Sequence, residues 1–214
     1  MASILLALGV NAWWDERVDQ KRGAELLSSI RDDILSELLE VDEVIAVRQL
    51  LVQDARALLE TMSGQANDGN FESEILKLGS IFILSEWQPM NASYDQALAS
   101  GSFELVGDGR LRQLIARYDG TLEVAARWRD RIEMQYYEEL EPFMVANVVY
   151  SELAAPDVRE TLVVASQFAT DFLPLMASKD LWNLLTLKLE LEEIYLRRLQ
   201  AVTTQGTTVL DFRG

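Results

Sequence analysis

The chain contains no cysteine and no histidine. Without cysteine there is no disulfide, no thiolate metal site and no cysteine nucleophile. Without histidine the commonest general base and the commonest transition-metal ligand are missing. That excludes Ser–His–Asp triads, zinc hydrolase sites and the Glu-x-x-His di-iron site of ferritin-like bundles. Positive charge is scarce as well: 19 Lys and Arg stand against 35 Asp and Glu, for a net charge of −16. Phosphate backbones repel such a chain, so no nucleic acid partner is expected. Anionic lipid headgroups would repel its body too, so any membrane attachment has to come from apolar residues. Only 4 prolines and 11 glycines interrupt 214 residues, and the long segments between them favour helix over a many-stranded sheet. The inventory points away from an enzyme, and no cofactor and no metal are expected.

The chain begins MASILLALGVNAWW, fourteen residues without a charge that end in Trp13 and Trp14; seven of the eight residues over 15–22 are then polar or charged. Fourteen helical residues reach only ~21 Å against a hydrocarbon core of ~30 Å, so this run does not span a bilayer by itself. No Lys or Arg precedes it, and Trp-Trp-Asp-Glu is a poor cleavage site, which argues against a signal peptide. Paired tryptophans ahead of a charged stretch suit a membrane–water boundary, where indole sits at headgroup level. The plainer alternative is an apolar turn packed on the protein's own core or on another subunit. The expectation is a partial membrane anchor at 1–14, with Trp13 and Trp14 at the interface and about 8–12 further apolar residues upstream.

Residues 24–63 contain no Gly or Pro. Apolar residues recur there at Leu27, Ile34, Leu38, Val41, Ile45, Val52, Ala55, Leu59 and Met62, a heptad stripe with Arg48 at its one skipped position. Gly23 is tolerable in a helix at ~1 kcal/mol, so a single helix of ~90 Å is predicted from the anchor to about Met62. Leu35, Leu39, Val44, Val47, Leu51 and Leu58 are expected to widen its buried face. Residues 63–70, SGQANDGN, read as a loop, and FESEILKLGSIFILSEW reads as a mostly buried helix stopped by Pro89. Ser93 and Gln96 fit a capping box for a short helix ended by Gly101. Asp108 can cap the next helix. Its stripe runs through Leu111, Ile115, Tyr118, Leu122, Ala125, Arg129, Ile132, Tyr136 and Phe143, and Pro142 should kink or end it. Pro156 would open a further helix over DVRETLVVASQF. A last helix, about 178–203, turns Leu184, Leu187, Leu191 and Ile194 inward. The fold expected is all-α: an elongated helical bundle with a very long N-terminal helix continuing from a truncated anchor. Its parts are the anchor at 1–14, a bundle domain at 15–203 and an irregular tail at 204–214.

Two blocks of sequence resemble a family of single-pass, membrane-anchored helical bacterial proteins that carry a domain of unknown function. The first block, at the end of the anchor, is Gly9, Asn11, Trp13 or Trp14, Glu16 and Arg17. The second is Tyr94, Ser100, Gly101, Leu105, Asp108, Leu111, Arg112, Ile115 and Tyr118. It departs from the family pattern at Val106, where Ile is usual, and at Leu98, which falls one position late behind Ala97. The resemblance implies a bacterial inner-membrane protein with its helical domain in the periplasm. Members carry basic residues before the apolar segment, and this chain does not.

Arg112, one turn into its helix, is the side chain singled out as a possible contact for an anion or carboxylate. The plainer reading is that it satisfies carbonyls at the end of the preceding helix or pairs with Asp95 or Glu104. Tyr94 and Tyr118 should share that junction, rings in the core and hydroxyls on polar partners. Together with Gly101 they form the expected structural or interaction cluster. Arg48 and Arg129 interrupt stripes, either facing acids in a bundle layer or, more plainly, laying their stems along a stripe edge. The acids at 32–33, 42–43, 138–141 and 190–193 lack metal-loop spacing and read as solvated faces. Asn91-Ala92-Ser93 matches a glycosylation sequon, but capping accounts better for Ser93. The function expected is a non-catalytic, membrane-tethered interaction or scaffold protein. Its partners would be the lipid bilayer through the N-terminal segment and a protein or a second copy of itself. The alternative is a membrane-tethered sensor that holds a small ligand in the bundle, which would require Arg112, Tyr94 and Tyr118 to line an open pocket.

Overall fold

The structure is a computed structural model that describes residues 2–64, 71–153 and 167–212. It is all-α, a helical bundle with a long N-terminal helix, and no strand occurs among the described residues. In chain order α1 is Ala2–Met62, α2 Phe71–Ser80, α3 Ala92–Ser100 and α4 Gly109–Gln135. The chain then makes one π turn, Tyr136–Leu140, and continues as α5 Glu141–Asn147, α6 Phe172–Met176 and α7 Lys179–Leu210; single 3₁₀ turns occur at Ser102–Leu105 and Tyr150–Glu152. The expected loop at 65–70 and the Pro156 helix lie outside the described residues.

The heptad logic of α1 holds with a small rotation. Its buried line runs Ile30, Ile34, Glu37, Val41, Arg48, Val52, Ala55 and Leu58. The wider apolar face is not all buried: Leu51 and Leu58 are inside, while Leu35, Leu39 and Val47 are exposed. In α4 the stripe Leu111–Ile115–Tyr118–Leu122–Ala125–Ile132–Tyr136 is buried as spaced. Beyond Tyr136 the π turn adds a residue and advances the buried line to Leu140, Met144 and Val148. Pro142 sits in the first turn of α5 just after that bulge, so the helix is perturbed rather than ended there.

Four expectations are corrected. The helix expected through residue 87 stops at Ser80; residues 83–91 have no regular structure, and Ile81 is buried while Ile83 is exposed. The expected tail at 204–214 is helical to Leu210. It holds because α7 buries a strict line, Leu181, Leu185, Lys188, Glu192, Tyr195, Leu199, Val202, Gly206 and Val209, at alternating steps of four and three. Of the register expected from Leu184, Leu187, Leu191 and Ile194, Leu191 is buried and the other three are only partly buried. Lastly, Ser93 does not cap α3. Asn91 occupies the cap position without a side-chain bond, and Ser93 lies inside the helix.

The chain divides into two compact units: Met1–Asp42, Gln88–Glu123 and Ala201–Gly214 in the first, Glu43–Trp87 and Val124–Gln200 in the second. In the first, Gly206 of α7 allows close approach; a methyl group there would sit 2.9–3.2 Å from Leu38 of α1 and Tyr118 of α4. The second is centred on Ala55, Leu58, Leu78, Leu140, Met144 and Leu185.

Candidate functional site

Three places concentrate polar chemistry. In the first unit, Asp33 and Glu37 lie one turn apart on α1 and accept hydrogen bonds from backbone N–H groups at the start of α3. Ser93 N donates to Asp33 Oδ2 at 2.8 Å and Met90 N to Glu37 Oε2 at 2.9 Å. The carboxylates thus take the role that sequence spacing assigned to the Ser93 hydroxyl, and they meet the positive end of the α3 dipole. Asn91 adds a third tie, its Nδ2 donating to Asp119 Oδ1 at 3.1 Å. That amide nitrogen is therefore occupied and the residue buried, which leaves the sequon unsuited to glycosylation.

Tyr118 is buried in the same unit with no hydrogen-bond partner for its hydroxyl among the described residues, contrary to the polar partner expected. Burial raises its pKa first, and the carboxylates of Glu37, Asp119 and Asp33 push the same way. Tyr94 is raised by burial and then by Asp119, Asp95 and Glu123; its ring packs edge-on to Phe103 at 5.0 Å. Asp119 is raised by desolvation, opposed by its bond from Asn91, with Asp95 and Glu123 adding to the rise. Gly101 takes φ 72°, the left-handed cap conformation, and its N–H donates to Leu98 O.

Arg112 follows the plainer of its two readings. Its Nη1 donates to Val106 O at 2.7 Å and Glu104 O at 3.2 Å, and the exposed Glu104 carboxylate lies 3.7 Å away. Asp108 caps α4 as expected, accepting from Arg110 N and Leu111 N. A wide, open cleft of about 520 Å³ runs past Phe103, Asp108, Arg110, Arg112 and Gln113. Tyr94 and Tyr118 are not among the residues that line it.

The second place is the start of α1. Trp13 and Trp14 are 55% and 60% exposed, and the Arg17 guanidinium stacks 5.4 Å from the centre of the Trp13 ring. Among the described residues no helix is long and apolar enough to cross a membrane.

The third place, in the second unit, was mostly missed from sequence. Arg48 is not at a stripe edge but 1% exposed, and Glu192 is not on a solvated face but fully buried. Arg48 Nη1 donates to Glu192 Oε1 at 3.2 Å and to Ile83 O at 2.9 Å, and Lys188 Nζ is 2.9 Å from the same carboxylate oxygen. Arg129 donates to Trp87 O at 2.7 Å and pairs with Asp130 and Glu133, its side chain 17% exposed. The available signal was opposite charges on two stripes: Arg48 on one, Glu192 on the other. Among the described residues no group of His, Cys, Asp or Glu is arranged to hold a metal ion. No family model, no curated protein and no solved structure matches the chain.

Proposed function

We propose that the protein is a non-catalytic, membrane-tethered helical interaction or scaffold module whose tether is the start of α1. The observation that carries this reading is the exposed Trp13–Trp14 pair, which follows an apolar run and precedes a charged turn. Two indoles at one level on a helix match the headgroup zone, and Arg17 beside Trp13 sits where a cation meets lipid phosphate. The net charge of −16 keeps the body away from anionic lipid. The contact is therefore apolar and interfacial. Leu35 and Leu39, exposed on the outer side of α1, offer apolar surface to a protein partner. The resemblance at the two sequence blocks supports a bacterial inner membrane, with the bundle on its periplasmic side.

Flotation of the full chain with phosphatidylcholine vesicles tests the tether. The chain should rise with the vesicles, and the double variant Trp13→Ala, Trp14→Ala should stay largely in the dense fraction. A wild-type chain that remains at the bottom of the gradient refutes the tether. Equal flotation of the double variant would move the lipid contact away from the tryptophans.

A further inference from the structure

The α7 seam places Lys188 and Glu192 one turn apart, and α1 brings Arg48 to the same carboxylate oxygen, at 2.9 and 3.2 Å. All three side chains are closed to solvent: 0% exposed for Lys188 and Glu192, 2% for Arg48. Two cations thus share one anion. Arginine stays protonated in proteins, so the Arg48–Glu192 pair is already neutral. A charged Lys188 would add a bare positive charge to the core, which protein interiors tolerate poorly.

Among the described residues no second anion acts on Lys188. Among the described residues, the charged groups that act on Lys188 or on its neighbour Tyr195 are Arg48 from α1, Arg129 from α4 and Glu192 from α7; of these, Glu192 alone is an acid. Tyr195 is fully buried with its phenol pushed up to about 12, chiefly by burial, so it stays neutral. Arg48 Nε and Lys188 Nζ lack an aligned acceptor, the second Glu192 oxygen, Oε2, lacks an aligned donor, and the Tyr195 hydroxyl is tied to Ser85. Removing one proton from the lysine relieves the charge excess of two cations on one carboxylate.

We propose that the folded protein carries Lys188 as an uncharged amine, so that the Arg48–Glu192–Lys188 layer is a proton-linked latch between α1 and α7. Protonation puts an unpaired charge into the layer and loosens it. Burial pulls the Lys188 pKa below its ordinary 10.5, with Arg48 adding to the fall and Glu192 opposing it. Between the folded value and 10.5 the unfolded chain binds the extra proton, so stability rises with pH across that window and is lost as pH falls through it. The latch is independent of the proposed tether.

The chain has four lysines, so a titration of lysine-selective ¹³Cε resonances in the full-length protein is tractable. One resonance should titrate well below the other three, be missing in Lys188→Met, and be shielded from a soluble paramagnetic agent. In denaturant titrations over the same pH range, the unfolding constant of wild type relative to Lys188→Met should fall with rising pH, approaching tenfold per pH unit inside the window. Four lysines titrating together near 10.5, or parallel pH profiles for the two proteins, overturn the proposal. Should Lys188→Met not fold, the wild-type titration decides alone, because the shielded resonance identifies the interior lysine.

Discussion

Gly23 lies inside α1, where alanine is ordinarily better by ~1 kcal/mol. We predict the opposite here. A methyl group at position 23 would sit 3.0 Å from the Leu105 carbonyl carbon and closer still to its oxygen. A relaxed carbon–oxygen contact is ~3.3 Å or more, so the Ser102–Leu105 turn would have to retreat. That turn is fastened on both sides. Val106 N donates to Phe103 O, Val106 is buried, and Val106 O accepts from Arg112 at 2.7 Å. Overpacking against a fixed backbone costs ~1–3 kcal/mol, and disturbing one of those hydrogen bonds adds ~1 kcal/mol. Subtracting the helix-propensity gain leaves Gly23→Ala less stable by ~1–3 kcal/mol. The control is Gly120→Ala in α4, where nothing lies within 4 Å of the added methyl; it should be more stable by ~0.5–1 kcal/mol. Urea denaturation followed by circular dichroism compares the two, and in a chain this size each kcal/mol moves Tm by ~2–4 °C. If Gly23→Ala proves as stable as Gly120→Ala, the close approach of Leu105 to α1 is wrong.

Three further outcomes are expected. Glu192→Gln leaves the buried Arg48 guanidinium without its carboxylate partner and should destabilise the protein by ~3–5 kcal/mol in denaturant titration; a change under 1 kcal/mol would place the layer in water. Arg112→Ala strips the donor from two carbonyls at a partly exposed site and should lower stability by ~1–2 kcal/mol, with no effect on flotation. For Asp119, the folded pKa is raised above 3.8, so the stability it contributes is present below 3.8 and is lost as pH rises through the folded value. Asp119→Asn should remove that descending limb, a small difference because the carboxyl is partly exposed. Denaturation midpoints of the two proteins that run parallel from pH 3.5 to 7 would show that Asp119 is not desolvated.

The long helices were legible because an apolar stripe at heptad spacing needs no knowledge of its partner. The α4 stripe was readable to Tyr136 and lost just after it, since a π turn inserts one residue and no local property of Tyr136–Leu140 announces the shift. The α7 register was misread for a different reason. Its true seam carries Lys188, Glu192 and Gly206, so a hydropathy count prefers the neighbouring line of leucines. The Thr- and Gly-rich end then looks aperiodic, although Val202, Gly206 and Val209 continue the same steps of three and four. Residues 81–84, Ile-Phe-Ile-Leu, are apolar without being helical; the segment that follows is tied down at Met90 by Glu37, 53 positions earlier in the chain. Arg48 and Glu192 are 144 positions apart. Each looks misplaced on its own helix, and only pairing the two stripes turns two local defects into one buried ion pair. A charged residue on an otherwise apolar seam is therefore best read as half of a pair, and its partner sought among opposite charges on other seams. Applied to α1, that rule selects Arg48 with Glu192, while Glu37 on the same line accepts from the Met90 backbone N–H. It also exposes Lys188, a second basic side chain on the one Glu192 carboxylate.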